Sequence, residues 1–558
     1  MTKVDIKKRT RARESSNAIE RLYITMRHLL NRGFYKPFGV SGNTLKQGLL
    51  MLRPEIYGNI AAEKSELTGL KYVMDRLPEG IEECRVIYMT DDEGYKISQF
   101  KPIIPPKRRR NCYRIDKDQM NIELTRGRSD VYDILTHLTF LYIESHKIRK
   151  KAVVNDKGDA GREWKALERV VLRNKKLNKS EKEIIIAYLS TLLGRTFIET
   201  KEIFETFSEK NKPNRFFHII YWLGKLAIDE AYNNNKREVK FSSNLRERLG
   251  HHIYGEIWAT QIKNVLKQQK LLDKPIHIIS ANMHSVMNTL FAQKTLRIDK
   301  NEIEIYKDLS LGKNKILRNK VEKVAAKNGM IFIEDKSGAN INVQIFDTAK
   351  INNQNSSFEI KPDKDGQKPV LIVMDYAFGE QAFEVMDELL KPHEEDNTKI
   401  FLDVKSISIM GKAGILQGNK GDIMIPNAHM FEGTADNYPF KNQLSKKDFK
   451  GDDIPVFEGT MVTVLGTSLQ NKDILSFFKN STWKAIGLEM EGAHYQKAIQ
   501  SASKIRNNIN ANVKVRYAYY ASDNPLETGS TLASGPLGIN GVKPTYIITK
   551  KILNQILK

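Results

Sequence analysis

Two carboxylates and a thioether stand in a row at Glu489-Met490-Glu491, between the apolar run Ala485-Ile486-Gly487-Leu488 and the small pair Gly492-Ala493. The apolar run has the composition of a strand covered on both faces, and the small pair lets the chain turn directly into a helix. In an extended backbone Glu489 and Glu491 share one face and Met490 takes the other, so carboxylate and sulfur can line different walls of one pocket. The same two acids can instead cap the following helix, whose N-terminal end favours negative charge. A second strand-like run, Lys514 to Ala521, leads into Ser522-Asp523-Asn524-Pro525-Leu526. It puts another carboxylate at a strand's C-terminal end, where open parallel sheets bind ligands. Carboxyl groups so placed can transfer protons or accept hydrogen bonds from hydroxyls.

Glu489-Met490-Glu491 followed about thirty residues later by Ser522-Asp523 resembles the paired signature of the type I nucleoside phosphorylase and nucleosidase superfamily. The Ser-Asp-x-Pro-Leu run is most similar to the catalytic domain of the AMP nucleosidase family. Earlier segments follow the family's order. Lys368 to Lys391 looks like its strand, glycine-containing loop and helix, with the turn at Asp375 to Gly379. Ser406 to Leu416 looks like its strand ending in Gly-x-x-Gly, at Gly411-Lys412-Ala413-Gly414, and Gly421 to Pro426 is similar to its Gly-Asp-hydrophobic strand. Phe457 to Val462, which contains Thr460, resembles the strand bordering the base site.

The resemblance implies cleavage of a ribosyl C–N bond, which needs a proton for the departing purine and tolerance of a cationic sugar. Asp523 would then hold the proton at the purine N7, kept protonated near neutral pH by burial, and Ser522 would orient it. Glu491 would accept the ribose 2′- and 3′-hydroxyls, Met490 would pack against the sugar, and Glu489 would be a secondary contact. The Gly411, Lys412, Ala413 and Gly414 loop would offer backbone N–H groups and one charge to phosphate or water, and Thr460 would line the base site. Lys412 departs from the small residues usual in the family, and it reads equally as an exposed loop charge. After Pro-Leu the family carries a His-Gly-Glu-like run, where this chain has Glu527-Thr528-Gly529. The implied partners are a purine nucleoside or nucleotide and, in a phosphorylase, phosphate; the implied assembly is a homo-oligomer. No cofactor and no metal are expected.

These residues need a scaffold, and at 558 residues the chain is too long for one core. Residues 1–155 alternate helical and strand-like patches and read as an α+β region. Residues 156–272 read as helical throughout. Residues 273–558 read as an α/β catalytic domain, a twisted mixed sheet flanked by helices in the manner of the phosphorylases. Ser16 to Arg32 and Val131 to Lys147 carry helical apolar stripes.

Charge and composition exclude several classes. With 90 Lys and Arg against 67 Asp and Glu, the net charge of +23 favours an anionic partner. The densest basic run, Lys107 to Arg110, reads either as a phosphate holder or as an exposed loop, and Arg126 and Arg128 beside a helix start make a plausible anion site. No aromatic-interleaved basic stripe accompanies the run, which argues against nucleic acid; a non-catalytic nucleotide- or nucleic-acid-binding protein on the same fold is the alternative, for which the basic N-terminal half speaks and against which Asp523 and Glu491 speak. Two cysteines, Cys84 and Cys112, exclude a disulfide framework and a cysteine-rich zinc site. The N-terminal stretch lacks the apolar segment of a secretory signal, and no run of 18 apolar residues exists, so a cytoplasmic protein without membrane attachment is expected. Gly411 to Gly414 is not a Walker motif, and no dinucleotide Gly-x-Gly-x-x-Gly occurs.

Overall fold

The computed structural model describes residues 3–91, 94–108, 110–173, 177–362, 365–396, 398–434, 436–527 and 537–557. It is a mixed α/β structure with two large sheets. The first contains β1 (Phe34–Tyr35), β2 (Val86–Thr90), β3 (Cys112–Arg114), β4 (Gln119–Glu123) and β5 (Glu238–Phe241), in the order β1-β5-β2-β4-β3. β5 lies inside the stretch expected to be helical throughout. Its Val239 and Phe241 are buried between β1 and β2, which the alternation of Glu238-Val239-Lys240-Phe241 supports. The helices of that stretch lie where their apolar periodicity puts them, among them Lys179–Leu193 and Arg215–Tyr232. The first is opened by Asn178, whose side chain takes the Glu181 N–H in a capping box.

The second sheet has ten strands. They are β6 (Ile276–Ser280), β7 (Met330–Ile333), β8 (Val343–Asp347), β9 (Val370–Met374), β12 (Val404–Ile415), β13 (Ile423–Phe431), β14 (Asn437–Pro439), β15 (Val456–Thr463), β16 (Ala485–Glu489) and β17 (Lys514–Asp523); β10 (His393–Glu395) and β11 (Thr398–Ile400) form a separate hairpin. β12, β17, β13, β15 and β16 pair in succession, and β16 returns to β12, so these strands close into a ring. β6, β9, β8 and β7 extend from β12 as an open sheet. Both β16 and β17 are buried along nearly their whole length, as their apolar composition requires.

One apolar cluster runs from Ile19 and Leu135 through Trp258 and Leu389 to Leu488, joining the two sheets across the interior. A second, with Leu290, Phe346, Leu371 and Ile548, fills the other side of the C-terminal sheet. Among the described residues no helix is long and apolar enough to cross a membrane.

Candidate active site

β16 and β17 both reach the C-terminal part of β12. Gly414 pairs with Asp523 on one edge and with Leu488 on the other, so the acidic ends of the two strands flank one residue. Gly411 to Gly414 is therefore the end of a strand and not a loop: β17 pairs with it from Gly411 opposite Tyr519 to Ala413 opposite Ala521, and after a register shift past Ser522 it sets Asp523 opposite Gly414. On the other edge β6 leaves after Ile409 and β16 joins only at Gly414. The backbone between them faces a gap in the pairing, the place where strand N–H groups remain for a ligand.

Asp523 is fully buried, and the Ser522 hydroxyl donates to its Oδ1. Ser522 also reaches the Ala413 carbonyl at 3.2 Å, which ties its rotamer to β12. Oδ2 of Asp523 is buried without a hydrogen-bond partner. Burial raises the Asp523 pKa to about 6, against the pull of the Ser522 hydroxyl, Lys412 and Lys420. A carboxyl group held this way carries a proton over part of the neutral range and has one oxygen available for a substrate.

The Glu489-Met490-Glu491 row divides its labour. Glu489, 2 % exposed, spends both oxygens on the protein: Oε1 accepts the Thr463 hydroxyl, and Oε2 accepts the backbone N–H groups of Glu491 and Gly492. It closes the start of the Gly492–Gln500 helix, the capping alternative, and holds no oxygen open as a secondary contact. Burial, with repulsion from Glu491, lifts its pKa to about 8. Glu491 accepts the backbone N–H of Gly379 at 3.0 Å and that of Met490 at 3.3 Å. Burial raises its pKa, opposed by those two bonds and by the charges of Arg126 and Lys412. Met490 is buried, and its methyl group would lie 3.8 Å from a Cβ at Gly379.

Lys412 is exposed, and its ammonium attracts both Asp523 and Glu491. It also lines a cleft of about 480 Å³ with Asn282, His284, Tyr520 and Tyr546. Thr460 is not brought to the acids. It sits on β15 opposite Ala485, at the start of β16, whereas Thr463 pairs with Glu489. Sequence reading stopped one residue short of Thr463, a polar residue at the end of an apolar strand, and so missed the hydroxyl that binds Glu489.

The N-terminal half reaches the site as well. Gly127 and Ser129, at the start of the Arg128–Ala152 helix, pack on the loop Phe378 to Gln381, with the Glu380 N–H donating to Ser129 Oγ at 2.9 Å and Arg128 paired with Glu380 at 3.1 Å. Arg126 lies 5.3 Å from the Phe378 ring centroid. Of the run Lys107 to Arg110, Arg108 and Arg110 are neither an exposed loop nor open to phosphate in full, because they bond Asp130 and Asp133. Arg109 lies outside the described residues, as do Thr528 and Gly529. Glu82, Glu83 and His218 bring ligand atoms within 4.8 Å of one another, but Arg215 and Arg114 already pair with those acids.

Solved structures similar to this chain include a 5′-methylthioadenosine/S-adenosyl homocysteine nucleosidase of Campylobacter jejuni, 12 % identical over 50 % of this chain and 97 % of its own, with a TM-score of 0.31. A futalosine hydrolase mutant of Helicobacter pylori is 11 % identical over 51 % of this chain and 98 % of its own, with a TM-score of 0.29. An S-adenosylhomocysteine nucleosidase of Streptococcus pyogenes is 13 % identical over 50 % and 97 %, with a TM-score of 0.31. No curated protein matches the sequence. The sequence matches a protein family over residues 43–327 and 306–558, and the chain belongs to it: the Family of unknown function (DUF6909).

Proposed function

We propose that the protein is a nucleosidase that hydrolyses the N-glycosidic bond of a purine nucleoside or nucleotide, releasing the base and the ribose or ribose phosphate. The observation that carries this reading is Asp523: a buried carboxyl group with one oxygen fixed by Ser522, the other unpartnered, and a pKa raised to about 6. In the reaction the C1′–N9 bond breaks, its electron pair passes to the purine, and Asp523 supplies the proton that neutralises the purine at N7. Water adds to C1′ and loses a proton, which restores the charge balance. Glu491 accepts the ribose hydroxyls, its negative charge opposing the positive charge that grows on the sugar. Met490 covers the sugar face, Gly411 to Gly414 supply backbone N–H groups in the pairing gap, and residues 273–558 form the catalytic unit.

Phosphorolysis is the second reading, and Lys412 favours it, because an exposed ammonium facing both carboxylates suits an anionic nucleophile. Incubating the protein with purine nucleosides and nucleoside monophosphates, with and without phosphate, and quantifying free base and sugar product by chromatography separates the two. Base release without phosphate, with free ribose or its 5-phosphate as product, is the expected outcome. Dependence on phosphate with ribose 1-phosphate formed would make it a phosphorylase, and no base from any substrate would defeat both.

A further inference from the structure

The pairing gap on β12 is covered at its Gly411 end. Gly411 pairs with Tyr519 of β17, and a Cβ on Gly411 would lie 3.9 Å from the Tyr519 ring and 3.7 Å from the ring of Tyr376. Two aromatic rings therefore meet the α-carbon of Gly411 on the side where it carries no side chain. Tyr519 is its strand neighbour, but Tyr376 comes from further away. It is the second residue beyond β9, and β6 stands between β9 and β12, so the Tyr376 side chain crosses the end of β6 to reach Gly411.

Tyr376 is held there from several sides. Its hydroxyl bonds the backbone of Asn282, in the turn after β6, and its own N–H donates to Asp375 at 2.9 Å. The next residue, Ala377, bonds through its backbone to the Tyr495 hydroxyl, which also meets Ser280 Oγ at 3.1 Å. The neighbouring donors are used within the turn. Asn282 Oδ1 accepts the His284 N–H at 3.0 Å, the Asn282 carbonyl accepts the Ser285 N–H at 2.8 Å, and Ala281 donates to the Met374 carbonyl at 3.0 Å. The start of the Met283–Leu296 helix thus turns these N–H groups inward. A phosphate ion is bulkier than water and is held by several donors at once. Lys412 draws anions to this edge of the sheet, while the Tyr376 ring takes up the space beside Gly411 that an anion bound to the strand would need.

We propose that Tyr376 selects the nucleophile: its ring closes the Gly411 end of the gap to phosphate and leaves room for water. The assignment rests on the reading of the protein as a nucleosidase. With the ring removed, a phosphate oxygen takes the place of water and bonds C1′ as the C1′–N9 electron pair leaves with the purine. Asp523 still gives its proton to N7, the proton that phosphate loses returns to Asp523, and the sugar leaves as its 1-phosphate.

The test scores the sugar products from adenosine, guanosine, inosine and their 5′-monophosphates, with and without phosphate, for the wild type, Tyr376→Ala and Tyr376→Phe. Circular dichroism reports the fold, and Tyr376→Leu replaces Tyr376→Ala if the alanine variant does not fold. Calorimetry with inorganic phosphate on each protein reads anion entry without turnover. The wild type and Tyr376→Phe, which keeps the ring, should bind no phosphate and form no 1-phosphate. Gaining charge-assisted hydrogen bonds corresponds to about 10- to 100-fold, so the ratio of sugar 1-phosphate to free sugar should rise by roughly that factor in the truncated variant, with phosphate binding to match. If the truncated variant alone binds phosphate and no protein releases base from any substrate, the selection by Tyr376 stands and the cleavage reading falls. The proposal is overturned if the wild type forms 1-phosphate or binds phosphate as tightly as the truncated variant. It is equally overturned if Tyr376→Phe gains as much as the truncation, since the ring would then exclude nothing, or if a folded truncation gains neither binding nor product.

Discussion

Gly379 donates its backbone N–H to Glu491 at 3.0 Å while adopting φ +56°, with Ser129 of the N-terminal half pressed against its α-carbon. A Cβ at this position would sit 2.4 Å from Ser129 Oγ, in a backbone conformation that L side chains rarely adopt. Gly379→Ala should therefore push the loop off Glu491, cost about 1–3 kcal/mol of stability and lower base release roughly tenfold or more. Thermal melts and initial rates measure both. Wild-type activity in a folded Gly379→Ala protein would mean that the Gly379 bond does not position Glu491.

Asp523→Asn should abolish base release, at least about 100-fold, with the fold intact. Because burial raises the Asp523 pKa from 3.8 to about 6, its protonated form is the one the folded state favours. Its contribution to stability is present below about pH 4 and lost as the pH rises through about 6. The melting temperature of Asp523→Asn relative to the wild type should accordingly climb between pH 4 and pH 8, while wild-type kcat/KM falls above pH about 6 as the acid loses its proton. A constant difference in melting temperature across that range contradicts the assigned shift.

Glu491→Gln should weaken ribosides by roughly 1.5–3 kcal/mol through loss of a charge-assisted hydrogen bond, and should harm 2′-deoxyribosides less. Equal damage to both substrate sets removes the 2′-hydroxyl from its role.

Glu489 acts on the fold. Glu489→Ala leaves the Thr463 hydroxyl and two helix-start N–H groups without their acceptor and should cost about 1–3 kcal/mol in denaturant titrations. Glu489→Gln retains an acceptor oxygen and resembles the neutral acid that a pKa of about 8 implies, so it should cost far less. A larger loss in Glu489→Gln than in Glu489→Ala would contradict the capping geometry.

Local signals made part of this site legible. Apolar runs ending in acids marked β16 and β17, and the strand, turn and helix around Gly379 follow the pattern of Lys368 to Lys391. The rest depends on contacts between distant segments, which periodicity does not encode. Nothing in Thr125 to Asp130 announces that its helix start will meet Phe378 and Gly379, some 250 residues away. Arg108 and Arg110 read as solvent-facing because the acids that hold them lie one turn apart on a helix 20 to 25 residues downstream. Gly411 to Gly414 looked like a loop because two glycines in four residues break a strand pattern, but pairing with β17 keeps the segment extended.

β12 belongs to the closed ring and to the open sheet at once, and the backbone that faces the ligand gap is its own C-terminal part. Amide protons bonded to β17 along this segment should exchange with deuterium only when the whole ring opens, making them among the slowest in the molecule. The floor of the site is then as durable as the fold itself. A destabilising change in the ring away from Gly411 to Gly414, Ser522 and Asp523 would reduce the number of competent molecules and leave the affinity of each surviving molecule unaltered.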